Sequence, residues 1–463
     1  MPAGLFRQAE LAHGRMILQA EPEGGSRQDW EEWKMRSGIM MALMGSVALM
    51  TAATGASAEA LKVWSRQTDE SAVILKNLTK AFSDKTGIEV ETYNTGMDFE
   101  QRLARAAAGR DLPDVVINDD SALGQMLKMG IIQEIDPEKI EGSSQIVENA
   151  WNSAKGANGK YYSVPISAQA FAYFIRKDWR EKVGLPQPKT WEDLHKLAVA
   201  FTKEDPDGNG KDDTFGMTIP GSTTRGYTSW FMSNFIWGAG GDFVKQENGG
   251  FKPNLNNEAG AAALGFVRSL FCEGLVQPGA INATTGDALP TFRSGQTGIF
   301  LSGPYHIAQI SEQPGADVVE VIAPPAGPGG VAALAEGTSA YIMAGSKNRE
   351  AAEKFIAFAI SPEGQEIGMA HNTGHTPLVR LPVNQQVDVD AVRQDPRWAT
   401  FKEVFDSSGH YVPPVPNWIP IRMLTAEGFN KILSNCSADI PAELAKIDAE
   451  IAVELRKQQA LAE

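Results

Sequence analysis

The chain predicts an α/β fold of two lobes, on three observations. Strand-like and helix-like segments alternate from Leu61 onward, the Pro/Gly-rich stretch APPAGPGG (323–330) interrupts that grammar, and the 405 residues after Ala58 suffice for two lobes of ordinary domain size.

The elements follow in order. LKVW (61–64) is a short strand, and SAVILKNLTKAF (71–82) is a helix with Val73, Ile74, Leu78 and Phe82 at helical spacing, stopped by Gly87. IEVETY (88–93) alternates as a second strand. DFEQRLARAAAG (98–109) is a helix with Asp98 in the N-cap position, and PDVVIN (113–118) is a third strand. A β-α-β-α-β run implies a parallel sheet with right-handed crossovers. The middle, from Phe171 to Gly330, mixes helices (191–204, 258–275) with short strands (FGMTIP, TGIFL) and reads as the second lobe. After it a strand, SAYIMA, and a helix, REAAEKFIAFAIS, return to the first lobe's grammar, and the chain from Asp395 is mostly helical.

Ligands of open α/β sheets sit beyond the carboxyl ends of the strands. Here those ends read Ser65-Arg66-Gln67, Asn94-Thr95 and Asn118-Asp119-Asp120, all able to hydrogen-bond, although strand-end loops are polar in any case.

Residues 35–58 read as a secretory signal: Lys34 and Arg36 before an uncharged Met/Leu/Val/Ala-rich core, then Ala56-Ser57-Ala58 as a cleavage site. Residues 1–34 read as a non-native upstream extension. The competing reading is a membrane anchor, which the small residues of its second half and the lack of a following basic cluster disfavour.

The chain holds 42 Lys and Arg against 57 Asp and Glu; the first 58 residues contain five and six of these, leaving 37 and 51, a formal charge of −14. That sign speaks against nucleic acid or anionic lipid as the main partner. Cys272 and Cys436 are either one disulfide or two buried thiols, and each stands among helix-like residues.

The ordered set GKYYSVPIS (159–167), AYFIRKDW (172–179), LPQPKTWEDL (185–194), FIWGAGGDF (235–243), TFRSGQTGIFLSGPY (291–305), AGSKNREAAEKFIAFAISPEGQ (344–365) and NTGHTP (372–377) resembles the extracellular solute-binding proteins of the maltose-binding type, family 1. The resemblance covers essentially the whole chain after the signal. It implies a periplasmic-binding-protein fold of type II, two α/β lobes joined by a hinge with an interlobe cleft. It also implies an N-terminal lobe of 59–166 and 333–376 and a C-terminal lobe of 170–328 and 380–463. The implied role is that of a periplasmic, monomeric, non-enzymatic receptor that hands a carbohydrate to the permease subunits of an ABC importer.

A sugar offers apolar C–H faces and hydroxyls, so its site needs aromatic surfaces plus carboxylates, amides or Arg. Carried over by the resemblance, the candidates are Asp119, Asp120, Gln169, Tyr305 and Trp418, with Arg66, Tyr227, Trp237, Glu336 and Thr338 beside them. Asp119 and Asp120 read equally as caps of the following helix, and Trp237 equally as core. Trp418, in PPVPNWIP, is expected to be kept off a regular helix by its prolines. A neutral oligosaccharide, monosaccharide or polyol is the favoured ligand, because Asp119 and Asp120 oppose an anion. The alternative is an anionic or sulfonated sugar anchored on Arg66.

DPDGNGKDDTFG (205–216) follows the first nine positions of a calcium loop, with donors at Asp205, Asp207, Asn209, the Lys211 carbonyl and Asp213. Its twelfth position is Gly216 where a bidentate Glu belongs, so the expectation is either a structural calcium or an acidic turn. Tyr161-Tyr162 and the His371/His375 pair lack the context for iron or zinc. No HExxH, GxSxG or phosphate-binding glycine loop occurs, and no cofactor is required. With 51 acids, a carbohydrate-active enzyme stays the alternative from another class.

Overall fold

The computed structural model describes residues 59–67, 69–95, 98–370 and 377–463, which belong to one compact unit. The expected signal segment, the upstream extension and the His371/His375 pair lie outside the described residues. Among the described residues no helix is long and apolar enough to cross a membrane.

Strand β1 (Leu61–Ser65) pairs in parallel with β2 (Val90–Asn94) and β3 (Val115–Asp119), the expected trio. The helix Asp69–Thr86 covers it with Ile74, Leu75, Leu78 and Phe82 buried. Val73, expected on that apolar face, is 39% exposed, and Leu75 fills the stripe instead. Asp98 does precede the helix Phe99–Gly109, yet its side chain makes no capping bond.

The strands β4 (Val164–Ala170), β5 (Ala172–Arg176), β6 (Phe215–Thr218), β7 (Val244–Glu247), β8 (Gly250–Pro253), β9 (Thr297–Ser302), β10 (Val319–Ile322), β11 (Ala333–Ile342) and β12 (Gly409–His410) complete the set. In the first sheet, β12-β11-β3-β1-β2, strand β11 runs antiparallel to β3 on one side and to β4 on the other. The predicted SAYIMA strand is therefore the end of a longer, central strand. Nine of its ten residues are buried, and the exception is Glu336.

The second sheet, β10-β5-β9-β6, has β5 and β9 at its centre. Phe174 and Phe300 face a cluster shared with Phe401 of the helix Pro396–Ser408, while Tyr173, Ile175, Ile299 and Leu301 join the helices Trp191–Lys203 and Tyr227–Gly238. Burying each such side chain contributes roughly 1.5–3 kcal/mol. Thr190 and Asp193 form a capping box that fixes where the first of those helices starts.

Of the two readings left open for the cysteines, the disulfide is the one found: Cys272 is bonded to Cys436 across 164 residues. Cys272 ends the helix Glu258–Cys272. Cys436 lies in the turn between the helices Trp418–Leu433 and Ile440–Lys457, not in a helix.

Candidate functional site

The register of β11 assembles the site. It places Glu336 opposite Gln169 of β4 and Thr338 opposite Asp119 of β3. Gln169 donates from Nε2 to Glu336 Oε2 at 3.1 Å. Just past β1, Arg66 donates to Glu100 Oε1 at 3.1 Å and pairs with Asp119. Asp120, just past β3, accepts from Ser339 Oγ at 2.6 Å. The turn that follows has Asp119 in its N-cap position with no side-chain bond, so neither of the two reads as a helix cap.

Arg66, Asp119, Asp120, Gln169, Tyr227, Tyr305 and Glu336 all line one cavity of ≈350 Å³. Three other candidates lie outside it. Thr338 is buried behind it and accepts from Gln67 Nε2 at 3.4 Å. Trp237 is core: its Nε1 donates to Asp242 Oδ1 at 3.0 Å and its ring stacks on His410 at 4.3 Å. Trp418 is buried, meets Phe243 edge-on at 5.0 Å and lines a neighbouring cavity that shares Asp120 and Glu336 with this one. The prolines do not keep it off a helix. Trp418 is the first residue of one, capped by Asn417, and Pro420 falls in the first turn, where a missing N–H breaks no intrahelical bond.

The cavity also holds residues that sequence reasoning missed: Arg225, Trp230, His306, Arg380 and Arg422. Arg225 takes a left-handed φ of 52° and is followed by Gly226 at 77°. A Cβ on Gly226 would stand 2.7 Å from Arg422 Cγ, so this glycine lets the Arg422 side chain pass. The Arg380 guanidinium lies 5.3 Å from the centre of the Tyr305 ring, within cation–π range.

Burial governs the titration of this site. Burial, and then the charge of Asp119, pushes Glu336 up to about 7 against the pull of Arg422. Burial pushes Asp120 up to about 7 against the Ser339 hydrogen bond. Burial likewise raises Tyr305 to about 12, and burial with the Arg380 charge holds His306 near 3, hence neutral. Arg422 is lowered by burial, against the attraction of Glu336 and Asp119 and with the charges of Arg225 and Arg66 adding to the shift. Arg66 is raised: burial opposes its charge, but Asp119 and Glu100 outweigh it.

The calcium-like loop does not assemble its expected donors. Asp205 accepts from the Gly208 and Gly210 N–H groups at 3.0 and 3.1 Å, and the Asn209 amide donates to Asp207 at 2.8 Å and to Asp213 at 3.1 Å. Lys211 enters the loop as a donor, from its N–H to Asn209 Oδ1 at 2.8 Å. Gly216 sits in β6 because a Cβ there would meet the Ala198 carbonyl at 2.5 Å. The segment is an acidic turn that satisfies itself. No group of three or more His, Cys, Asp or Glu suited to a metal occurs among the described residues.

Residues 65–366 match the family described as bacterial extracellular solute-binding protein. The chain belongs to this family. The solute-binding protein is 29% identical over 210 residues to the polygalacturonan/rhamnogalacturonan-binding protein YtcQ of Bacillus subtilis, covering 44% of this chain and 41% of the relative. It is 25% identical over 276 residues to the fructooligosaccharide ABC transporter substrate-binding protein FusA of Streptococcus pneumoniae, covering 55% and 50%. The chain thus spans half or less of the length of those two relatives. Maltose-bound MalE3 of T. maritima superposes with a TM-score of 0.71 at 21% identity over 85% of this chain and 99% of that one. The expected maltose-binding-type fold is therefore present.

Proposed function

We propose that this solute-binding protein is exported, captures a carbohydrate in the ≈350 Å³ cavity and, as a monomer, delivers it to the membrane subunits of an ABC importer. The observation that carries this reading is the pairing of aromatic faces, Tyr227, Trp230 and Tyr305, with amide, carboxylate and guanidinium groups in one cavity. Flat apolar surface beside paired polar groups is what a pyranose ring with its hydroxyls requires. The names of YtcQ and FusA, both saccharide binders, agree with it. The two sheets would be the cores of lobes 59–166 with 333–376 and 170–328 with 380–463, closing on the sugar by hinge rotation.

Thermal unfolding against a panel of mono- and oligosaccharides, polyols and sugar acids tests the reading. A ligand at 100 times its dissociation constant adds about 2.7 kcal/mol. With an unfolding entropy of about 0.85 kcal/mol/K for a chain of this size, the midpoint rises by about 3 °C. Recovery of the ligand unchanged separates a receptor from a carbohydrate-active enzyme. A flat response across the panel refutes the carbohydrate reading.

A further inference from the structure

We infer that the captured saccharide is anionic, its carboxylate or sulfate held by the guanidinium groups of Arg380, Arg422 and Arg225. The inference rests on the receptor reading above and names the class of its ligand.

Four arginines line the cavity, and they are not equivalent. Arg66, the anchor expected for an acidic sugar, is already held by Asp119 and Glu100. Among the described residues, no hydrogen bond or ion pair satisfies the guanidinium of Arg225, Arg380 or Arg422. Arg380 Nε and Arg422 Nε are buried without a partner, and Gln169 Oε1 is the corresponding acceptor. Two unmet donors, both guanidinium, therefore face one unmet acceptor. A sugar hydroxyl, with one O–H and two lone pairs, can accept from these donors but brings no charge, whereas an oxyanion only accepts and is charged. A guanidinium fork pairs two oxygens of a carboxylate or sulfate at once.

The acids of the cavity cancel these charges only in part: Glu336 and Asp119 attract Arg422, but burial pushes Glu336 and Asp120 up to about 7. Asp119 is already paired with Arg66, while Ser339 and Gln169 are neutral donors to Asp120 and Glu336. In a chain whose formal charge after residue 58 is −14, a cavity lined by four arginines against three acids is a local feature and not the background. The expectation of a neutral ligand, drawn from Asp119 and Asp120, changes sign once Arg66 is seen to neutralise the first.

Isothermal titration of the protein with trigalacturonate, a glucuronate disaccharide and galactose 6-sulfate, against galactobiose and maltotriose, tests the inference. At least one acid is expected to bind 100-fold or more tighter than the neutral sugars. Arg380→Gln and Arg422→Gln should each weaken that binding by 10- to 100-fold, with thermal unfolding confirming that the variants are folded. Tight binding of a neutral sugar without the acids overturns the anionic inference and leaves the receptor reading standing. Equal losses for acid and neutral sugar in the arginine variants assign those arginines to hydroxyls and overturn it too. Binding of none of the five overturns both readings together.

Discussion

Replacing Glu336 by Gln is expected to stabilise the protein at alkaline pH and to do almost nothing in acid. Burial and Asp119 push the carboxyl from its ordinary 4.5 up to about 7. The group therefore binds its proton more tightly folded than unfolded, and stability falls as pH rises from about 4.5 through about 7. At ~1.36 kcal/mol per pH unit the loss at pH 8 is at most about 3 kcal/mol, a ceiling because the side chain keeps some solvent contact. The amide of Gln is neutral at every pH and of the same shape. It also supplies an N–H that Gln169 Oε1, buried without a partner, can accept. With an unfolding entropy of about 0.85 kcal/mol/K, the variant should melt up to about 4 °C higher at pH 8 and within about 0.5 °C of the parent at pH 4.5. Scanning calorimetry of both proteins at the two pH values decides it. A shift of equal size at both pH values, or a lower midpoint at pH 8, refutes the argument that charge burial is what strains this position.

Reduction of Cys272–Cys436 should lower stability by about 5 kcal/mol, since 164 residues separate the two sulfurs, and an unchanged midpoint under reductant would contradict this. Trp418→Ala should cost about 3–5 kcal/mol of stability and leave ligand affinity unchanged, while Trp230→Ala should cut affinity at least tenfold; the reverse pattern in paired melting and titration experiments would move the site. Affinity for an acidic sugar should rise on the order of tenfold from pH 8 to pH 6. Glu336 and Asp120, both near 7, take up protons in that range, while His306 near 3 stays neutral and Tyr305 near 12 stays protonated. Titration calorimetry showing affinity that falls with acidity would refute this assignment.

The parallel trio was legible because its signals are local: alternation in IEVETY, helical spacing around Phe82 and the stop at Gly87 all lie within a few residues of the elements they define. The role of β11 was not. A strand buried on both faces carries no alternation, and its pairing with β3, more than 200 residues earlier, is decided by the fold as a whole. Gln169 and Glu336 were reached through the family resemblance and not through their own strand patterns. Arg380 and Arg422 were not legible, because an Arg near a proline or on a helix face reads as solvated until its neighbours are known. The loop at Asp205 was legible only as one of two things, since carboxylates and glycines that suit a tight turn also suit a calcium loop, and its side chains here bond one another.

Burial pushes the Arg422 pKa down, Glu336 and Asp119 oppose that, and the charges of Arg225 and Arg66 add to it, since guanidinium groups repel one another. Holding them in one cavity, with Arg422 threaded past Gly226, costs free energy that the attraction of Glu336 and Asp119 for Arg422 and the Arg380–Tyr305 contact return in part. An oxyanion bound among them would return it through charge-assisted hydrogen bonds in surroundings of low dielectric, where such bonds are at their strongest. The negative charge elsewhere on the chain opposes this only weakly, because salt screens it beyond about 8 Å. Discrimination is thus set inside the cavity, by groups already in place before the ligand arrives. A neutral sugar relieves none of the repulsion it finds there.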